Sequence, residues 1–263
     1  MVLKQAGMLS GGKLPIIATV IEAIGLPIIY WRDFIKFACV PVAIYALQFL
    51  LHWNNAPQKH PLLLLLIVVA LSLSMIPFQV TWIRLAVNGA DSISRRRIWS
   101  LGQVECKYLA AAAVLALVPQ VPACVAMIVA MVVMTKVMLA VPLMLLALGL
   151  FIAGIAWSIR LSFVLVELAL ERYDGWRNSW NQTKGLSWRL IAISILAMLP
   201  FGVAGAICGA IQADGASHVG WLVLTIIGQS TLTVLTSAAT LGGLAIAYRL
   251  TSPEPPAAAI SMS

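Results

Sequence analysis

The chain has 263 residues, 62% of them hydrophobic and only 10% charged, with a formal net charge of +8. Soluble domains carry about 25% charged residues, so this composition excludes a water-soluble fold, and much of the apolar surface must face lipid. The basic excess does not describe a nucleic-acid surface, because the cations come in short clusters between apolar runs.

A bilayer core about 30 Å thick needs about 20 apolar residues in a helix. Residues 14–29 are apolar but too short, with Pro15 and Pro27 near the ends and Glu22 in the middle. They predict an interfacial or half-inserted helix rather than a further span. Six longer stretches qualify as spans, near 34–53, 61–83, 109–134, 137–159, 190–210 and 221–248. Only Thr135-Lys136 separates the third from the fourth, which predicts a tight hairpin. Pro119 and Pro122 predict a kink in the third. Between the fourth and fifth, Leu170, Tyr173, Trp176 and Trp180 recur at spacings of three and four. That is the stripe of an amphipathic helix lying flat at the headgroups and stopping at Gly185, with Lys184 in its last turn. Trp188-Arg189 then anchors the fifth span. The tail 251–263 is proline-rich and predicted to be disordered.

The cations set the expected orientation. Of 17 lysines and arginines, only Lys59 and Lys136 fall in loops on one side. The positive-inside rule then places both termini in the cytoplasm. The N-terminus lacks the order of a signal peptide, so the first long run reads as a retained span.

Residues 96–119 align without gaps on 177–200. Arg96 meets Arg177, Trp99 meets Trp180, Leu109 meets Leu190 and Pro119 meets Pro200. The even-numbered spans end alike, in Trp82-Ile-Arg84, in Trp157 with Arg160, and in Tyr248-Arg249. The expected architecture is therefore all-α and polytopic. It is one membrane domain over 1–250, of about six transmembrane helices arranged as three hairpins with interfacial amphipathic helices, in units near 14–90, 91–168 and 169–250. Repeat interfaces are frequent sites in membrane folds.

The run SWNQTKGLSWR, Ser179 to Arg189, resembles the bacterial YciC-like group of inner-membrane proteins. That group is itself similar to the membrane domain of some glycerophosphodiester phosphodiesterases. The resemblance covers most of the chain in layout and 156–200 in motif. It implies six inner-membrane spans. It supplies no catalytic residues, and the phosphodiesterase barrel has no counterpart here.

Three groups of residues invite a functional reading. Arg95, Arg96, Arg97 and Trp99, with Arg177, Trp180, Lys184, Trp188 and Arg189, are candidates to bind anionic lipid headgroups. In the sixth span Thr225, Gln229, Thr233, Thr236 and Thr240 share one face. That face predicts either a seam hydrogen-bonded to the fifth span, where Gly202, Gly205 and Gly209 allow close approach, or a polar pathway. The acids Glu105, Glu167, Glu171 and Asp174 cluster near Lys107, Arg160, Arg172 and Arg177 and are expected to form interfacial ion pairs or to snorkel, Glu167 lying two helical turns beyond Arg160 on the same face. His52, His60 and His218, with Asp214, lack metal-ligand spacing, and the four cysteines form no CxxC pair. No nucleophile–base constellation, P-loop or HExxH run occurs. The expectation is a non-catalytic protein without a cofactor, a scaffold or membrane-organising factor, with a small transporter or lipid-handling channel as the alternative.

Overall fold

The computed structural model describes residues 14–53, 61–89, 102–132, 137–215 and 219–252. Regular structure among them is entirely helical: α1 (Ile16–Ile29), α2 (Trp31–Trp53), α3 (Pro61–Asn88), α4 (Gln103–Val132), α5 (Val137–Leu161), α6 (Phe163–Ala169), α7 (Trp176–Gln182), α8 (Ser187–Gly215) and α9 (Val219–Thr251). Six of these, α2 to α5 with α8 and α9, are long and apolar enough to cross a membrane. The protein is an all-α, multi-pass membrane protein. The helices overrun the expected spans by a few residues at their polar ends, because backbone bonding continues where side chains turn polar.

The helix α9 is the centre. It packs against α8, α1, α2 and α3, and is the most enclosed of the six. Its packing face is built of small residues: Ala238, Ala239, Ala245 and Ala247 are fully buried. In lipid there is no hydrophobic drive between helices, so association depends on close backbone approach. Gly242 and Gly243 supply it. A Cβ on Gly243 would lie 2.8 Å from Ile193 Cγ2, and one on Gly242 would lie 3.2 Å from Leu26 Cδ1. No proline interrupts α9, whereas the other five spans each contain at least one.

The hairpin α4–α5 is closed the same way. A Cβ on Gly154 would fall 2.4 Å from Pro119 Cα. Helix α4 runs on through Pro119 and Pro122, and Ser158 donates to the Leu115 carbonyl at 2.8 Å. This hairpin is otherwise the most peripheral part of the bundle, with most of α5 open to lipid.

Helix α1 is held to the bundle rather than lying apart. Thr19 and Ala23 are fully buried against the α9 side, while Ile17, Ile21 and Ile28 point outward. Pro27 lacks an N–H for the Ala23 carbonyl, and α1 ends soon after, turning through Tyr30 into α2.

The expected continuous interfacial helix over 170–185 does not form. Ser162 interrupts α5 from α6, and α6 closes on a Schellman turn. There Arg172 N–H donates to the Glu167 carbonyl at 2.9 Å and Glu171 takes φ 62°. Helix α7 restarts after Gly175 at φ 101° and ends at Gln182, with Gly185 at φ 81° beyond it. Of the stripe, Trp176 and Trp180 lie on α7, Leu170 caps α6, and Tyr173 falls in the non-helical connection between them. A spacing of three and four does not reveal that two residues inside it leave helical φ.

Candidate functional site

The polar chemistry gathers at one end of the bundle, where α3, α5 and α9 finish and α2, α4 and α8 begin. Contacts across large sequence separations define this basic end. Arg84 Nε donates to the Ala169 carbonyl and Arg84 Nη2 pairs with Glu171 at 3.0 Å. Arg249 Nη2 pairs with Glu22 at 2.6 Å, and its Nη1 reaches the Ala86 carbonyl at 3.4 Å. Arg189 donates to the Leu14 carbonyl at 3.2 Å. Thr183, fully buried, places its hydroxyl 2.9 Å from both the Arg160 and Ser179 carbonyls and so ties the α7 end to α5.

The three span-ending arginines therefore differ. Arg84 and Arg249 each meet a carboxylate and a backbone carbonyl. Arg160 meets neither among the described residues. Its guanidinium lies over the Trp180 ring, 3.6 Å from the centroid, and Trp157 stands edge-on to Trp180 at 5.9 Å. Its Nε is shielded from solvent and has no hydrogen-bond partner among the described residues. The pairing of Arg160 with Glu167 that their spacing allows is not made. Ser162 keeps helical φ and ψ in a tightened turn, its N–H donating to the Ile159 carbonyl at 3.2 Å, and Glu167 is fully buried with no ion-pair partner among the described residues. Glu105 accepts from the Gly102 N–H at 2.9 Å, the return half of a capping box at the start of α4.

The tryptophans also divide. Trp188 is 74% exposed and Trp157 59% exposed at the basic end, the setting that suits an anchor. Trp82 belongs to the same sequence pattern but is fully buried. It lies among Phe34 and Phe78, with Nε1–H donating to the Ala238 carbonyl at 2.8 Å.

Of the lipid-facing candidates, Arg177, Lys184 and Trp188 are exposed, Trp180 and Arg189 are partly covered, and Arg95, Arg96, Arg97 and Trp99 lie outside the described residues. Arg32, Lys36 and Lys107 add exposed cations at the same end. Arg160 and Trp157 belong with them in space. The signal for this was the shared aromatic-and-Arg ending of the even-numbered spans.

Three hydroxyls on the polar face of α9 bond within their own helix. Thr233, Thr236 and Thr240 donate to the carbonyls of Gln229, Leu232 and Thr236 in their own helix, at 2.8–2.9 Å. Thr225 is buried. The Gln229 amide rests on Gly205, 3.5 Å from where a Cβ would stand, while Gly202 and Gly209 have open space there. Thus one glycine of that row serves close approach, and the tighter contacts lie at Gly154 and Gly243.

Among the described residues no group of three or more His, Cys, Asp or Glu side chains is placed to hold a metal ion. No protein-family model, curated protein or solved structure matches this chain.

Proposed function

We propose that this protein is a non-catalytic scaffold of the bacterial inner membrane that holds anionic lipid at its cytoplasmic face, with both termini on that side. The observation that carries the reading is the composition of the basic end. Trp31, Arg32, Trp157, Arg177, Lys184 and Trp188 are all exposed there, around a polar core already closed by the Arg84 and Arg249 pairs. Exposed tryptophan beside exposed cation is the chemistry of the headgroup zone, where each cation near an anionic leaflet contributes about 1 kcal/mol. The likeness of Ser179–Arg189 to the YciC-like group supports the inner-membrane placement and carries no activity.

The alternative, a small transporter along the α9 face, is supported less. The hydroxyls of Thr233, Thr236 and Thr240 are directed to carbonyls of α9 itself, so their protons are engaged within the helix rather than offered to a solute.

Native mass spectrometry of the protein released from phosphatidylglycerol-containing membranes tests the proposal. The wild type should retain phosphatidylglycerol in preference to phosphatidylcholine. Changing Arg95, Arg96 and Arg97 together to Gln should weaken that retention, by up to about 3 kcal/mol if the contributions add. A wild-type protein with no preference between the two lipids removes the lipid-holding function.

A further inference from the structure

We infer that Arg160, Trp180 and Trp157 form a specific site for the phosphate of one phospholipid headgroup, whose acyl chains lie along α5. The inference rests on the reading above and gives it a place.

The internal comparison among the three hairpins carries the argument. Their second spans end in equivalent arginines, Arg84, Arg160 and Arg249. Arg84 is satisfied by Ala169 and Glu171, and Arg249 by Ala86 and Glu22. Arg160 has five N–H donors and no side-chain acceptor among the described residues. Even its solvent-shielded Nε is unpartnered. A buried donor left unpaired is costly, so such a group is normally met by a ligand or water. The arginine is also held in place. Its guanidinium stacks on Trp180 at 3.6 Å, Trp157 braces that ring, and Thr183 hydrogen-bonds the Arg160 carbonyl at 2.9 Å. A planar guanidinium fixed on an aromatic ring presents its fork of donors in one direction, the geometry that receives two phosphate oxygens at once.

The ligand's charge follows from the same contacts. The Trp180 face is already occupied by a cation, so the box does not suit a quaternary ammonium group and takes an anion instead. The ligand's body follows from its position. Trp157 is 59% exposed beside the site, and Leu145, Leu148 and Ile152 are exposed on α5. An anion there has hydrocarbon beneath it, which a lipid supplies and a free ion does not.

The test uses the full chain reconstituted in phosphatidylcholine nanodiscs containing phosphatidylglycerol, with retained lipids counted by native mass spectrometry. Arg160→Gln should lower retention of the tightest-bound phosphatidylglycerol about tenfold, and Trp180→Leu should lower it in the same direction. Arg160→Lys keeps the charge but not the fork and should fall between Arg160→Gln and the wild type. Because Arg160→Lys preserves the cation on the ring, it also serves as the folded comparator, its melting temperature staying near the wild-type value. Three other results are informative. If Arg160→Gln retains lipid like the wild type while Arg177→Gln with Lys184→Gln loses it, the site is overturned and the broader lipid-holding function stands. If the wild type itself shows no preference for phosphatidylglycerol, the broader reading fails. If inorganic phosphate stabilises the delipidated protein as strongly as phosphatidylglycerol, and Arg160→Gln abolishes both effects, the site takes free phosphate and the lipid assignment is overturned.

Discussion

The indole N–H of Trp82, near the end of α3, donates to the carbonyl of Ala238, in the middle of α9, at 2.8 Å. The ring is fully buried, stacked with Phe78 and meeting Phe34 edge-on. Trp82→Phe retains most of the ring packing and loses one hydrogen bond, which contributes about 1 kcal/mol. Trp82→Ala also opens a cavity at the centre of the bundle and should cost about 3–5 kcal/mol. Unfolding in mild detergent, followed by tryptophan-independent far-UV signal, should rank them in that order. Equal losses from the two variants would mean that the hydrogen bond, not the packing, dominates.

Gly154 has no room for a methyl group. Its Cβ would overlap the backbone of Pro119, which cannot yield as a flexible side chain can. Gly149, more than one turn earlier in α5, has open space. Gly154→Ala should therefore destabilise the α4–α5 hairpin by about 1–3 kcal/mol. Gly149→Ala should be neutral or slightly favourable, since alanine is the better helix former. A thermal shift assay on the purified pair checks the difference. Similar melting temperatures for both variants would show that the hairpin closes less tightly than this contact requires.

Arg84 contributes in two unequal ways. Its pair with Glu171 is 44% exposed on the glutamate side, so solvent screening holds that contribution below about 1 kcal/mol. Its Nε bond to the Ala169 carbonyl is the more sheltered one and fastens the last turn of α6. Arg84→Gln should accordingly cost more than Glu171→Gln. Glu171→Gly should cost least of the three, because the residue sits at φ 62°, where glycine is relieved of a penalty of about 1 kcal/mol. Chemical denaturation in micelles gives the ranking, and Glu171→Gly proving the most harmful would overturn it.

The orientation is open to direct measurement. In a cysteine-free background, a cysteine placed at Gly220, at the end of the bundle away from the arginines, should react with an impermeant thiol reagent in intact cells. One placed at Ser252 should react only after permeabilisation. The opposite pattern would put the basic end outside and contradict the positive-inside reading.

Much of this architecture was legible in the sequence because the bilayer imposes a simple requirement. A helix that crosses it needs about 20 apolar residues with its backbone bonded internally, and both conditions are local. The six runs between residue 31 and residue 251 satisfy them without reference to one another. The aromatic-and-Arg endings of the even-numbered spans were legible too, as were the exposed Trp188 and Lys184, because headgroup-zone residues follow the span ends in sequence.

What the tertiary structure decided is which of several chemically alike residues turns inward. Trp82 and Trp157 sit in nearly the same local sequence, yet one is a core residue bonded to Ala238 and the other faces out beside Arg160. Arg84 and Arg249 found carboxylates on Glu171 and Glu22, while Arg160 rests on Trp180. Helical spacing alone would have paired Arg160 with Glu167. Glu167 is instead buried with no ion-pair partner among the described residues, and no glycine or proline between 160 and 167 signals it. Apolar length is a property of one segment and can be read from it. Partnership at the end of a bundle depends on which other helix ends arrive there, which only the packing of α9 against its neighbours determines.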